Sequence, residues 1–457
     1  MRIQELKDKK VAIWGLGSEG WSTLKTIRKK FPALPITVLN DAAFSPEMEM
    51  MLTHDPFMSL ISSEQVKLSL KDFDIIIKSP GISAYRPEIQ EAKSHGVIFI
   101  SATHLWFQEH QNDKTVCITG TKGKSTTSSL ITHLLRNANK RVTLGGNIGT
   151  PMLDMLDVEP NPDVWVMELS SYQISDFSGS PSIALLLNLF PEHLDWHLNE
   201  QNYYNDKLKI FANQKEDSIA ILNKLDENTA KIALNIKNIT YFNDEIGFHV
   251  KDNCIYRKEE KIFLGSNMTI PGNHNLSNAC AALTVVEKLG IDINVCIEAL
   301  STFKGLPHRL YPWGIIEQVT YIDDSISTTP QSAIAALETY SGKNITILLG
   351  GFDRGLNVDE LAKYVANNSV FAVITMPDNG KRIAESIKKA IEAPNATNKN
   401  LKLFEVSDLS EAVRIAKEIT PKSGVIILSP GAPSYGHFKN FAERGDTFAK
   451  LSGFDVN

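Results

Sequence analysis

The chain has 457 residues, enough for about three domains of roughly 150 residues each. Its 47 Lys and Arg against 53 Asp and Glu leave a formal net charge of -6, which supplies no basic field for a nucleic-acid backbone, and 42% hydrophobic with 22% charged residues excludes disordered and fibrous classes. Four scattered cysteines without a C-x-x-C pair argue against a disulfide framework or zinc site, and no apolar stretch reaches the roughly 18 residues that span a bilayer, so a cytoplasmic protein with no membrane span and no nucleic-acid partner is expected.

In chain order, Val11–Trp14 reads as a short strand that ends in glycines and passes into a helix with Leu24 and Ile27 inward. Residues 36–39 and 74–78 read as further strands, and the helical stretches between them predict a parallel sheet with crossover helices. A second block opens with Thr115–Thr119, then a loop of glycines and lysines, then a helix in which Leu130 and Leu134, and Ile131 and Leu135, share a face. Residues 164–167 and 184–189 follow as buried strands, and the polar stretch around 240–270 is expected to hold short antiparallel strands. A third block has strands at 319–322, Ile345–Leu349, 371–375 and Val425–Leu428, with helices at 332–339 and 408–418. The expectation is an α/β fold of three domains, 1–102, 103–305 and 306–457.

Gly15, Gly17 and Gly20 match G-x-G-x-x-G after the first strand, and Asn40 and Asp41 stand about 20 residues on at the end of the second. Glycines let backbone amides and a helix amino terminus approach phosphate, and an acid at that distance reaches a ribose. The set fits NAD or FAD, another nucleotide, or tight helix–strand packing alone.

The second glycine set is sharper. Gly120, Thr121, Lys122, Gly123, Lys124, Ser125 and Thr126 lie between a hydrophobic strand and an amphipathic helix. Successive amides in such a loop cradle phosphate oxygens, Lys124 places a point charge toward the terminal phosphates and the Ser125 hydroxyl can ligate magnesium, which implies a nucleoside triphosphate. The loop is shorter than a standard P-loop, because Ile118 stands where the first glycine would be.

Glu168 ends a strand, where a carboxylate suits magnesium or simply a solvated edge. Glu192, His193, Asp195 and His197 follow another strand and would bring imidazole and carboxylate to the same edge, with magnesium preferred over zinc. Asp323 and Asp324, and the run Gly350-Gly351-Phe352-Asp353-Arg354, fall at strand ends of the third block, where a nucleotide or small acid can bind and Arg354 can fork onto a carboxylate.

Along nearly the whole chain, these loops resemble the Mur ligase family, the ATP-dependent amino-acid ligases of peptidoglycan precursor synthesis. The carrying strings are I-T-G-T-K-G-K-S-T-T (118–127), G-N-I-G (146–149), E-L-S-S-Y-Q (168–173), P-E-H-L-D (191–195) and Lys207 in D-K-L-K-I-F. They continue in G-N-H-N-L-S-N-A (272–279), L-P-H-R (306–309), D-D-S (323–325) and L-S-P-G-A-P-S (428–434). The first domain with S-P-G (79–81) and the ending K-N-F-A-E-R-G-D-T-F-A (439–449) look most like the branch that joins glutamate to UDP-N-acetylmuramoyl-L-alanine.

The resemblance implies a Rossmann-like first domain for the UDP substrate, a central P-loop ATPase domain with a mostly parallel sheet and a Rossmann-like third domain for glutamate. It replaces the dinucleotide reading with a UDP site at Leu16, Gly17, Ser18, Asn40, Asp41, Ser79, Pro80 and Gly81, with Asn147 on the muramoyl part. It implies triphosphate binding by residues 120–126, adenosine contacts from Asn275, Asn278, Arg309 and Asp324, and magnesium held by Ser125, Glu168, His193 and Lys207, the last as a carbamate. Lys124, Lys207 and His193 would be catalytic, and Thr328, Arg354, Ser434 and Phe441 would surround glutamate. The implied chemistry is attack of the alanine carboxylate on the γ-phosphate, then attack of the glutamate nitrogen on the acyl phosphate, assisted by domain closure. ATP and magnesium are the implied cofactors and a monomer is expected.

One departure bears on the substrate. Family members that use D-glutamate carry lysine in D-S-K-x-T, and this chain reads Asp324-Ser325-Ile326-Ser327-Thr328. Isoleucine cannot pair with a carboxylate. This string and F-P-E-H-L-D-W-H (190–197) look more like the branch that adds L-glutamate and relies on a separate epimerase, with D-glutamate as the alternative. Outside the family, a nicotinamide-dependent oxidoreductase would leave the second loop idle, and a nucleotide-switch binding protein would need neither the Lys207 region nor a third domain.

Overall fold

The computed structural model describes residues 1–232, 236–270 and 272–456. Unbroken apolar runs suit strands covered on both faces, and the inner strands Val11–Trp14 and Ile75–Lys78 of the first sheet are fully buried. Its strands β1 (Val11–Trp14), β2 (Ile36–Asn40), β3 (Met58–Ser62), β4 (Ile75–Lys78) and β5 (Ile98–Ile100) are parallel in the order β3-β2-β1-β4-β5. The order reverses about β1, so the loops after β1 and β4 flank a crevice at the carboxyl edge, where open α/β sheets take their ligands. Gly20 closes the helix of the first loop onto that strand end: a Cβ there would stand 2.0 Å from the carbonyl oxygen of Gly15.

The second sheet has six parallel strands, β6 (Thr115–Thr119), β7 (Val142–Gly146), β8 (Val164–Glu168), β9 (Ile183–Leu186), β10 (Ile219–Asn223) and β11 (Ile239–Phe242), in the order β11-β10-β9-β6-β8-β7. The strand expected at 184–189 ends at Leu186. Leu187 and Leu189 stay buried in the loop beyond it, so hydrophobicity alone could not mark the end. The helix Lys124–Asn137 buries Leu130, Ile131, Leu134 and Leu135 completely, each worth about 2 kcal/mol of transfer free energy. The helix Asn273–Lys288 packs on it. The polar 240–270 stretch forms an antiparallel sheet of β12 (Phe248–Lys251), β13 (Cys254–Arg257) and β14 (Glu260–Leu264).

A third sheet contains β15 (Tyr311–Ile316), β16 (Val319–Asp323), β17 (Ile345–Leu349), β18 (Val370–Thr375), β19 (Lys402–Glu405) and β20 (Val425–Leu428), ordered β15-β16-β20-β17-β18-β19. Only β15 runs antiparallel. Alternation along its strands feeds two cores, one through Ile347, Leu349 and Val373 and the other through Leu348, Ile374 and Ile426.

Contacts divide the chain into two compact units, Met1–Met268 with Asn273–Thr302, and Thr269–Gly272 with the residues from Phe303 on. Within the first unit the two large sheets share one hydrophobic cluster, in which Leu24 and Ile27 join Trp106, Leu153, Trp165 and Phe177. Polar bonds run beside it: Ser22 Oγ donates to Asp154 Oδ1 at 2.7 Å and Lys78 Nζ meets Asp176 Oδ2 at 2.8 Å.

Candidate active site

The loop between β6 and the helix Lys124–Asn137 is held from outside. Thr121 N donates to the carbonyl oxygen of Asn188 at 3.0 Å, Lys122 N donates to Asn188 Oδ1 at 2.8 Å, and Thr121 Oγ1 lies 2.9 Å from both the Phe190 carbonyl oxygen and the Tyr203 hydroxyl. Gly123 takes φ +85°, and a Cβ there would meet Asn278 Oδ1 at 2.8 Å. That brings Asn278, whose amide donates to Asn275 Oδ1 at 3.4 Å, against the phosphate-type loop. Lys124 Nζ donates to the carbonyl oxygens of Gly120 and Thr121 at 2.9 and 3.0 Å, placing the ammonium over the loop and beside the helix amino terminus that Ser125 and Thr126 open. Helix amides with no intrahelical acceptor and an adjacent cation form an anion site.

Glu168 stands one strand away, pairing with Ile118. It is completely buried; Oε1 accepts the Asn147 amide at 2.7 Å, while Oε2 has no hydrogen-bond partner among the described residues. A buried carboxylate oxygen without a donor is costly, and a cation satisfies it. Asn147, expected at the muramoyl group, therefore has its side-chain amide engaged with Glu168.

Lys207 shares this edge. Its Nζ is buried, 3.1 Å from the Gly120 carbonyl oxygen and 3.5 Å from Thr119 Oγ1, and among the described residues it forms no ion pair. Burial pushes its pKa down to about 7 and the Lys124 charge adds to the shift, so a large share of the amine is neutral near neutral pH. His193 takes φ +56° at the start of the helix Leu194–His197, its ring 5.1 Å from that of Tyr172. Burial lowers its pKa, favouring the neutral imidazole that serves as a metal ligand.

The run 192–197 does not converge on one ligand cluster. His197 is completely buried and its ring is already engaged, its Nδ1 2.7 Å from Asp206 Oδ2 and its Nε2 3.0 Å from Ser171 Oγ. Among the described residues no group of three or more His, Cys, Asp and Glu is placed to hold a metal ion. Burial alone would raise the Asp206 pKa, but hydrogen bonds from His197 and Lys209 outweigh it and hold it below the ordinary range. Tyr85 adds a third bond to Asp206 at 3.1 Å, tying the first domain to the helix that carries Lys207. Sequence reasoning missed Asn188, Tyr203 and Asp206, and only the polar residue just beyond β9 hinted at the first of them.

The first crevice gathers residues 16–18, 40–41 and 79–81 at the ends of three adjacent strands. Ser79 Oγ donates to the Gly15 carbonyl oxygen at 2.8 Å and Asn40 Nδ2 to the Ala42 carbonyl oxygen at 2.7 Å. Asp41 accepts from Trp14 Nε1 at 3.1 Å and pairs with Arg86 at 2.8 Å. Trp196 Nε1 donates to the Gly81 carbonyl oxygen at 3.2 Å, and Pro80 precedes it in the same loop.

In the second unit, Asp324 is buried within its own loop, accepting from Ser327 Oγ at 2.5 Å, Ser429 Oγ at 2.7 Å and Leu310 N at 3.1 Å. Burial raises its pKa to about 6 against these bonds. Arg309 is exposed. Arg354 Nη2 donates to the Thr328 carbonyl oxygen at 2.9 Å, and both residues line a small recess. Ser434 lines a second recess with Gly351, Asp408 and His437, and Phe441 lines neither.

A glycine- and lysine-bearing anion loop after an inner strand of a parallel sheet, followed by a second α/β unit, fits an ATP-dependent amide-forming ligase. Residues 9–101 match the N-terminal domain of the MurD-like Mur ligases, 118–286 the Mur ligase middle domain and 308–432 the Mur ligase glutamate ligase domain. The chain belongs to the Mur ligase family. It is 40% identical to the UDP-N-acetylmuramoyl-L-alanine–L-glutamate ligase of Xanthomonas campestris pv. campestris (strain 8004), over 100% of this chain and 97% of that one. It is 35% identical to the ligase of the same name from Micromonospora sp., over 98% of each chain. In fold it is similar to the MurF of Acinetobacter baumannii (TM-score 0.59, 14% identity, 98% of this chain and 97% of that) and to the UDP-N-acetylmuramate-alanine ligase MurC of Thermotoga maritima (TM-score 0.54, 20% identity, 97% and 98%).

Proposed function

We propose that the protein joins L-glutamate to UDP-N-acetylmuramoyl-L-alanine at the expense of ATP, in peptidoglycan precursor synthesis. The observation that carries the chemistry is the presence, at the same edge of one sheet, of a buried carboxylate oxygen without a donor on Glu168 and a buried amine without a carboxylate on Lys207, beside the loop 120–126. The choice of the L-isomer rests on the relatives' names and on Ile326, which takes the place of a cationic clamp.

In this reading the amides of residues 120–126 and the Lys124 ammonium hold the β- and γ-phosphates of ATP, and Asn275, Asn278, Arg309 and Asp324 serve the adenosine. Ser125, Glu168, His193 and Lys207 as a carbamate would hold magnesium, which would supply neutralisation of phosphoryl charge. Lys207 suits that role because a neutral, buried amine can take up carbon dioxide and turn a cation into an anion. Residues 1–102 bind the UDP substrate through the loops at 16–18, 40–41 and 79–81, with Asn147 serving the muramoyl part by positioning Glu168. The alanine carboxylate attacks the γ-phosphorus, ADP leaves, and the glutamate amine attacks the acyl carbon of the acyl phosphate. The tetrahedral intermediate then expels phosphate. Lys124 follows the charge on the transferring group, and residues 306–457 hold glutamate through Thr328, Arg354, Ser434 and Phe441. A cytoplasmic monomer whose product passes to an epimerase completes the reading.

The test is phosphate release with magnesium-ATP and UDP-N-acetylmuramoyl-L-alanine, run in parallel with L- and D-glutamate. Turnover with L-glutamate alone is expected; turnover with D-glutamate alone overturns the isomer, and silence with both overturns the substrate assignment.

A further inference from the structure

Arg354 sits in a loop, and an arginine on a free loop loses much of its binding value to the ordering of loop and side chain. Here the loop is braced. From the helix Gly380–Glu392, Arg382 reaches back with a fork: Nε lies 3.1 Å from Asp353 Oδ2 and Nη2 lies 2.5 Å from Oδ1, while Nη1 donates to the Leu356 carbonyl oxygen at 2.8 Å. Asp353 also accepts the Gly355 amide at 2.8 Å, so the residues on both sides of Arg354 are fixed. The same helix end secures the start of the loop, since Asn379 Oδ1 accepts Gly351 N at 3.1 Å and the amides of Asp378 and Asn379 donate to the Gly351 carbonyl oxygen at 3.0 Å.

Thr328, Asp353, Arg354 and Arg382 line the same recess. Two guanidiniums against one carboxylate leave it with a positive charge to offer a carboxylate ligand. Arg382 is spent on Asp353 and Leu356, whereas Arg354 gives Nη2 to the Thr328 carbonyl oxygen and is the guanidinium with donors to offer a ligand in the recess. Hydrogen bonding by Arg382 and Gly355 holds the Asp353 carboxyl below the ordinary range, so the fork persists through neutral pH.

We infer that Arg382 is a positioning residue for the amino-acid substrate: through its fork onto Asp353 it fixes the loop that presents Arg354 to a substrate carboxylate, and so offsets the cation absent at Ile326. The inference rests on the reading that glutamate binds in this unit. Preorganising one guanidinium lowers the ordering cost of binding, and the benefit falls on amino-acid affinity rather than on ATP or on the chemical step.

The experiment compares the full-length enzyme with its Arg382→Gln, Arg382→Lys and Asp353→Asn variants by phosphate release at varied glutamate and, separately, varied ATP, with thermal melting of each. Arg382→Gln and Asp353→Asn are expected to raise the KM for glutamate about tenfold each, as loss of a charge-assisted bond would, with kcat and the KM for ATP within about twofold and the double variant no worse than either single one. Arg382→Lys, which keeps charge but not the fork, falls between and covers the case in which the glutamine variant melts early. An unchanged glutamate KM in the variants overturns the inference, as does a rise with Arg382→Gln but not with Asp353→Asn, which would make Arg382 a direct ligand. If the unaltered enzyme turns over with no glutamate isomer, the substrate reading fails instead.

Discussion

Asn147 grips Glu168 twice, its side-chain amide donating to Oε1 at 2.7 Å and its backbone amide to the Glu168 carbonyl oxygen at 2.8 Å. The second carboxylate oxygen is thereby aimed and left without a donor in the described structure. Glu168→Gln should cut magnesium-dependent turnover by about 100-fold, because the ligand charge is lost, while the metal-free protein melts no lower than the parent, since the replacement removes a buried charge. Asn147→Ala should instead destabilise by about 1–3 kcal/mol by stripping Oε1 as well. Calorimetric melts with and without magnesium separate the two.

Lys124 lies half-buried over the carbonyl oxygens of Gly120 and Thr121. Lys124→Met should lower kcat by about 100- to 1,000-fold, the usual effect of removing one donor from a site of developing charge, with little change in melting temperature. A comparable fall in stability would point to a structural role for the ammonium instead.

For Lys207 the folded pKa of about 7 lies below the ordinary 10.5, so between those values the unfolded chain binds more protons. In carbon dioxide-free buffer, stability should therefore rise with pH across that window, and Lys207→Met should flatten the slope. With ¹³C-labelled carbon dioxide, a carbamate resonance is expected that weakens as pH falls through about 7, where the amine protonates, and that is missing from Lys207→Arg. A resonance indifferent to the substitution would place the adduct elsewhere.

His308 behaves in the opposite sense. Burial alone would lower its pKa, but the hydrogen bond to fully buried Asp323 at 2.7 Å and that carboxylate's charge raise it above 6.5. The pair's contribution is complete below 6.5 and lost as pH rises through the raised value. Urea unfolding at about pH 5.5 and about pH 8.5 should show a difference that shrinks in His308→Asn. Gly445 guards the same pair: a Cβ there would fall 2.2 Å from His308 Nδ1 and 2.4 Å from Asp323 Oδ2, so Gly445→Ala should destabilise by about 1–3 kcal/mol at either pH.

Inner strands such as β1, β6, β8, β17 and β20 and the two glycine loops were legible because they depend on local pattern, apolar runs for strands buried on both faces and glycine for tight turns, whereas the edge strands β3, β5, β7 and β19 are short or mixed in polarity and were not. The chain alone thus settled an α/β fold and, through the resemblance, a family of ligases that the full-length relatives bear out, and it singled out Gly120 to Thr126 as the candidate triphosphate loop. Strand ends such as Leu186 were less legible, since buried loops continue the apolar run.

Charge state and partnership were beyond local pattern. Lys207 looks like any helix-surface lysine in the sequence, and only the enclosing elements bury it and push its pKa down. His197 reads as one more imidazole of a possible ligand run, but its partners Asp206 and Ser171 turn it inward. The fork of Arg382 onto Asp353 joins residues 29 positions apart whose types carry no spacing signal. Sequence alone decided which backbone stretches can form strands and phosphate loops, because those are short-range matters of hydrophobicity and steric freedom. Tertiary structure decided which ionisable groups lose their water and which partners they find, because desolvation and pairing depend on segments far apart in the chain.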